Sequence, residues 1–270
     1  MKPKNIALLL AIAFITFIIL FPRKLANLFQ TPPPPPILRY SSPFVFGLIS
    51  DIQYSDVADG KDMDSGKPRR HRESLQKLRF AVRDWRRAGA KMVIDLGDIL
   101  DSKSARFDRR QRDLDDLEKE LANLTVPYYH LLGNHDLFNY DFDEWRRLTR
   151  YKFRQSMPSG DFRLSLSPFP SWRFLFLNSF EFGVVGRANE SRVSQEAWRV
   201  LRRRNRNRNP NSAEGLGEGA ARRRWTAYNA ALGREQLAWI ERELERAERN
   251  RERVVVFTHI PLHPKVRAMH

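Results

Sequence analysis

The chain of 270 residues contains no cysteine. Disulfides, thiolate zinc sites and cysteine nucleophiles are therefore excluded. The compartment stays open, because a cysteine-free domain works in either redox state. Acidic residues are in short supply: 32 Asp and Glu stand against 48 Lys and Arg, a net charge of +16. That imbalance favours anionic partners such as phosphate substrates, nucleic acid or acidic lipid. Much of it is local, in "KPRRHR", "RDWRR", "RRRNRNRN" and "ARRRW", which read as solvated helix faces and a basic loop. No aromatic residues interleave with "RRRNRNRN", so no nucleic-acid partner is expected. The chain has no internal repeat.

Long apolar runs are absent too, with one exception. Ile6 to Phe21 is apolar and flanked by Lys2, Lys4, Arg23 and Lys24. As a helix it spans ~24 Å, slightly short of a ~30 Å hydrocarbon core. Without a small-x-small cleavage site after it, residues 1–24 read as an uncleaved single-pass membrane anchor. A cleaved segment would instead make the chain secreted. The balanced flanks leave the side of the membrane open. Residues 25–41 include "TPPPPP" and read as an extended linker. The globular domain is expected over 42–270.

Within that domain, apolar β-rich runs alternate with amphipathic stretches, which predicts an α/β layered fold. Strands are expected at 44–50, 91–96, 126–132 and 253–257, with a strand pair at "RLSLSPFP" and "WRFLFLN". Helices are expected over about 71–87, 104–123 and 195–204 and at "REQLAWIERELERAERN". His130 sits inside the third strand and reads as a satisfied core histidine.

Four strands end in polar residues. "SDIQY" carries Asp51 and Gln53, "LGDILD" carries Asp98, "GNHD" carries Asn134 and His135, and "FTHIP" carries His259. The "GNHD" segment reads as a tight loop. In open α/β sheets the carboxyl ends of strands share one edge, so these side chains are expected to converge. Carboxylate, amide oxygen and imidazole together suit divalent cations such as Mn²⁺, Fe²⁺ or Zn²⁺.

These blocks resemble the successive signatures of the calcineurin-like metallophosphoesterases. "FGLISDIQYSDVADG", "VIDLGDILD", "LLGNHDLFNY", "GREQLAWI" and "FTHIPLHP" are similar, more narrowly, to the manganese-dependent ADP-ribose/CDP-alcohol diphosphatases. Gln53 stands where most metallophosphoesterases have His. The resemblance implies two packed β-sheets flanked by helices and two divalent metal ions. Asp51 and Gln53 would bind one ion, Asn134 and His259 the other, and Asp98 both. His135 would face the leaving oxygen, with Asp136 tuning it. A hydroxide bridging the ions would attack phosphorus in line. Arg69, Arg70 and Arg72 are candidates for the second phosphate of a nucleotide diphosphate derivative, or the solvated start of a helix. Tyr54, Phe138 and Tyr140 suit either a stacked base or the core.

The family's pattern continues with a Gly-His-x-His block and further strands, whereas this chain holds no His-x-His pair. The expectation is a fold lacking its C-terminal strands, weak metal binding and slow turnover. Other expectations from the same residues are a metallophosphatase of a phosphoprotein or phospholipid, or a catalytically dead binding module tethered to a membrane.

Overall fold

The computed structural model describes residues 44–61, 66–151, 161–216 and 224–262. The expected anchor and proline linker lie outside these. Among the described residues no helix is long and apolar enough to cross a membrane.

Three short parallel strands form the first sheet: β1 (Gly47–Ile49), β4 (Val93–Asp95) and β5 (Tyr128–His130), in the order β1-β4-β5. Between β1 and β4 lie a small hairpin, β2 (Gly60–Lys61) with β3 (Pro68–Arg69), and helix α1 (Glu73–Arg87). Leu78 and Val82 of α1 are buried, with Leu75 and Trp85 packed beside them. That is the face the helical spacing predicts.

The helix expected over 104–123 is two helices, α2 (Ser102–Arg106) and α3 (Arg110–Leu121). Asp108 breaks it with a left-handed backbone (φ 53°). Tertiary contacts favour the break: Arg109 pairs with Asp56, and Ser104 Oγ bonds the buried Asp113 carboxylate at 2.7 Å. The "GNHD" segment is likewise the start of a helix, α4 (Asn134–Asn139), and not a loop. Asp136 accepts from the Gly133 N–H at 2.8 Å, capping the turn with a side chain. Helix α5 (Phe142–Tyr151) follows.

The expected strand pair is β6 (Leu164–Leu166) against β7 (Trp172–Phe176), antiparallel. A two-stranded ribbon joins β8 (Phe182–Gly183) to β9 (Ala230–Ala231) across α6 (Arg192–Arg204). Helix α7 (Arg234–Arg249) leads into β10 (Arg253–Phe257), which pairs parallel with β7. The second sheet therefore runs β10-β7-β6.

Period-two alternation sorts the strands' side chains into layers. Val93 of β4 faces Leu78, Leu114 and Leu117 of α1 and α3. Its neighbour Ile94 faces the other sheet, among Phe174, Phe176 and Phe257. On that sheet's outer side Leu175 and Val254 meet Ile240 of α7. The order is helix, sheet, sheet, helix, as expected. Fully burying each such side chain contributes about 1.5–3 kcal/mol.

One polar network crosses this core. The buried His130 ring lies 2.8 Å from Asp95 and 3.4 Å from Asp136, and Tyr128 donates to Asp95 at 2.6 Å. Burial alone pulls the His130 pKa down, but Asp136 and Asp95 overcome it and hold it near about 10. A folded pKa above the unfolded one means stability fully present below about pH 6.5. It is lost as pH rises through about 10. Thermal stability is therefore expected to fall from pH 7 to 10. Ring-nitrogen NMR should show His130 still protonated at pH 8, and a neutral ring there would contradict the assignment.

Candidate metal centre

The first sheet's strands continue beyond the ladder in step with one another. Asp51 N–H bonds Gly97 O at 3.0 Å and Gln53 N–H bonds Asp98 O at 2.8 Å. Asp51, Gln53 and Asp98 all adopt positive φ (55°, 45° and 62°). Non-glycine residues avoid that region, and such strain persists where the surroundings over-determine it. Here it places three side chains side by side at the strand ends.

Gln53 Nε2 lies 3.3 Å from Asp51 Oδ1 and 3.1 Å from Asp98 Oδ2. Half a turn of the carboxamide presents Oε1 instead. Asp98 is buried, and its other oxygen, Oδ1, accepts the His135 N–H at 2.7 Å. Gly133 lets that carboxylate in: a Cβ there would stand 2.0 Å from Asp98 Oδ1.

His259 arrives from the second sheet. Ser179 Oγ accepts its N–H at 3.1 Å, and its Nδ1 lies 2.9 Å from Leu96 O on the first sheet. With Nδ1–H donating to that carbonyl, Nε2 turns its lone pair toward Asn134 Oδ1 at 3.3 Å and Asp98 Oδ2 at 3.7 Å. In that tautomer the neutral ring turns its lone pair toward the same point as two oxygens, an arrangement that a cation satisfies. Burial raises the Asp98 pKa. Burial lowers that of His259, but Asp98, Asp51 and Asp136 outweigh it and raise it overall.

Among the described residues no group of three or more His, Asp or Glu side chains stands ready by itself to hold a metal ion. The cluster mixes two carboxylates and one imidazole with two amides, and amide oxygens ligate hard cations as carbonyls do. The donor set Asp51, Gln53, Asp98, Asn134 and His259 therefore fits divalent cations.

His135 lies beside this set with its ring held from behind. Ser102 N–H donates to Nδ1 at 3.0 Å, so the neutral ring carries its proton on Nε2. Asp136 is not beside that ring. Its carboxylate accepts from Asp98 N–H (2.8 Å), Ile99 N–H (2.9 Å) and Gly133 N–H (2.8 Å) and meets His130. It splices the ends of β4 and β5 together, a scaffold role in place of the tuning expected of it. The carboxylate near His135 is Asp101, whose Oδ2 lies 3.7 Å from Nδ1. Reading the sequence missed Asp101, although it ends the "LGDILD" block.

The three arginines separate. Arg70 pairs with Glu73 at 3.0 Å and Arg72 with Asp56 at 2.6 Å, the solvated helix-start alternative. Only Arg69 turns inward, 3.5 Å from Asp101 Oδ2. Tyr54 and Tyr140 are core residues, while Phe138 is exposed and edge-on to His135 at 5.5 Å.

Residues 44–269 match the profile of the calcineurin-like phosphoesterases. A manganese-dependent ADP-ribose/CDP-alcohol diphosphatase of Danio rerio is 32% identical over 229 residues, covering 82% of this chain and 71% of that protein. One of the same name from Arabidopsis thaliana is 34% identical over 224 residues, covering 83% and 70%. The crystal structure of a dimetal phosphatase from Danio rerio superposes with a TM-score of 0.76 at 32% identity, covering 82% of this chain and 71% of that one. With the family profile covering most of the chain and the fold shared with a solved relative, the chain belongs to the calcineurin-like phosphoesterase family of hydrolases.

Proposed function

We propose that the chain hydrolyses a diphosphate linkage of the ADP-ribose or CDP-alcohol kind, with two divalent cations, manganese foremost. The observation that carries this is the meeting of Asp51, Gln53, Asp98, Asn134 and His259 at one edge of two sheets. Asp51 and Gln53 would hold one cation, Asn134 and His259 the other, and Asp98 both. Cations bound there supply charge neutralisation of the phosphoryl oxygens and an acidified water. The protein's own contribution is placement: strained backbone at Asp51, Gln53 and Asp98 fixes the donors before any ligand arrives. His135 offers its Nε2–H to the leaving oxygen, since Ser102 occupies Nδ1. The names of the relatives support the substrate class.

The test is hydrolysis of ADP-ribose, CDP-choline and bis-p-nitrophenyl phosphate by the full chain, with and without Mn²⁺. Mn²⁺-dependent turnover that favours the two diphosphates is expected. His135→Ala should cut kcat by about 10²–10⁴-fold, the range for a lost proton donor, while Mn²⁺ binding by calorimetry is retained. Turnover indifferent to Mn²⁺ would overturn the proposal, and loss of metal binding in His135→Ala would overturn the role given to His135.

A further inference from the structure

With Arg70 and Arg72 engaged on the surface and Arg69 drawn to Asp101, Lys103 stands beside the site as a further cation. Lys103 lies in α2, next to Ser102, whose N–H holds His135. Its own N–H donates to Asp101 Oδ1 at 2.9 Å, and its ammonium lies 2.9 Å from His71 Nε2. His71 is buried, 2% exposed, with Nδ1 3.7 Å from Asp101 Oδ2. The rings of His71 and His135 thus flank one carboxylate oxygen at the same distance.

Burial lowers the His71 pKa, with Lys103 and Arg69 adding to it against Asp101 and Asp59. In the neutral ring Nε2 accepts from the ammonium, while Nδ1–H faces Asp101 Oδ2 beyond hydrogen-bond distance. A neutral acceptor positions the ammonium without cancelling its charge. Among the described residues Lys103 Nζ makes no ion pair. The β2–β3 hairpin crosses over it, since a Cβ at Gly60 would stand 2.7 Å from Nζ. A lysine whose head is oriented by a buried imidazole, capped by glycine and left without a counter-ion is arranged to receive an anion. A surface lysine at a helix start has no use for any of these.

We propose that Lys103, oriented by His71 under the hairpin, binds the second phosphate of the substrate, next to the phosphate that His135 faces. This rests on the diphosphate reading above and assigns the specificity for two phosphates over one to a residue outside the metal donors.

The experiment compares the Mn²⁺-loaded full chain with Lys103→Met and Lys103→Arg. The ratio of kcat/KM for ADP-ribose to that for bis-p-nitrophenyl phosphate should fall at least tenfold in Lys103→Met, mainly through KM. Lys103→Arg should recover most of it. In calorimetry the parent should bind ADP more tightly than AMP, and Lys103→Met should lose that preference. Equal losses on both substrates, or an unchanged ratio and an unchanged ADP preference, would overturn the assignment. If the parent cleaves bis-p-nitrophenyl phosphate but not ADP-ribose, the diphosphate reading fails and the ADP-over-AMP preference alone decides Lys103. Should Lys103→Met fail to fold, Lys103→Gln is read in the same two assays.

Discussion

Replacing Asp98 with asparagine is expected to reduce hydrolysis to its metal-free background, a loss of about a thousandfold or more. The substitution keeps the size of the side chain and removes only its charge. That charge is central: Oδ2 stands 3.1 Å from Gln53 Nε2 and 3.7 Å from His259 Nε2, while Oδ1 holds the His135 N–H at 2.7 Å. It is also buried, which makes an uncompensated carboxylate costly and a cation beside it correspondingly favourable. A second readout does not depend on turnover. Mn²⁺ at a hundred times its dissociation constant stabilises a one-site protein by about 2.7 kcal/mol. For a domain of this size that raises Tm by roughly 5–10 °C. The rise should be present in the parent chain and absent in Asp98→Asn. An undiminished rise in the variant would remove Asp98 from the metal centre.

The largest expected loss of stability comes from a residue with no side chain. Gly97 adopts φ 108°, and a Cβ added there would stand 2.6 Å from Gly133 N and 2.9 Å from Leu132 C. Both neighbours are backbone, so neither can swing aside. Gly97→Ala therefore combines dihedral strain with overpacking, together about 4 kcal/mol. The expected fall in Tm is roughly 8–16 °C at that cost. Activity should fall with it, because Gly97 O anchors Asp51 N–H and Gly133 precedes Asn134. A Tm drop under about 3 °C would show that the ends of β4 and β5 separate easily, contrary to the close packing described.

Much of this site was legible because its residues sit where strands must end. "VIDLGD" and "YYHLLGNHD" each read as an apolar run followed by polar residues, and parallel pairing of β1, β4 and β5 puts their ends on one edge. The second sheet's contribution, His259, was legible only as a histidine after a strand. Docking of one sheet on the other, where His259 Nδ1 meets Leu96 O, is what brings it in.

Other features were hidden for identifiable reasons. The break between α2 and α3 lies in a stretch of helical pattern, and the pull of Asp56 on Arg109 acts across fifty residues. "GNHD" looked like a turn because Gly and Asn are poor helix formers. The Asp136 carboxylate stabilises the helix start by bonding three backbone N–H groups, one local and two from β4's end. The arginines of "KPRRHR" are indistinguishable by composition, yet hairpin geometry directs Arg69 inward and leaves Arg70 and Arg72 on the surface.

By itself the sequence determined the α/β layering, since alternating periodicities admit few other ways to bury each face, and the chemical nature of the donors, since carboxylate, amide and imidazole are covalent facts. Only the tertiary structure decided which carboxylates meet in the strand-end cluster and which tie strand ends together. Asp98, Asp101 and Asp136 are the same residue type within forty positions; their roles differ because backbone direction and burial differ, and those are set by contacts between segments far apart in the chain.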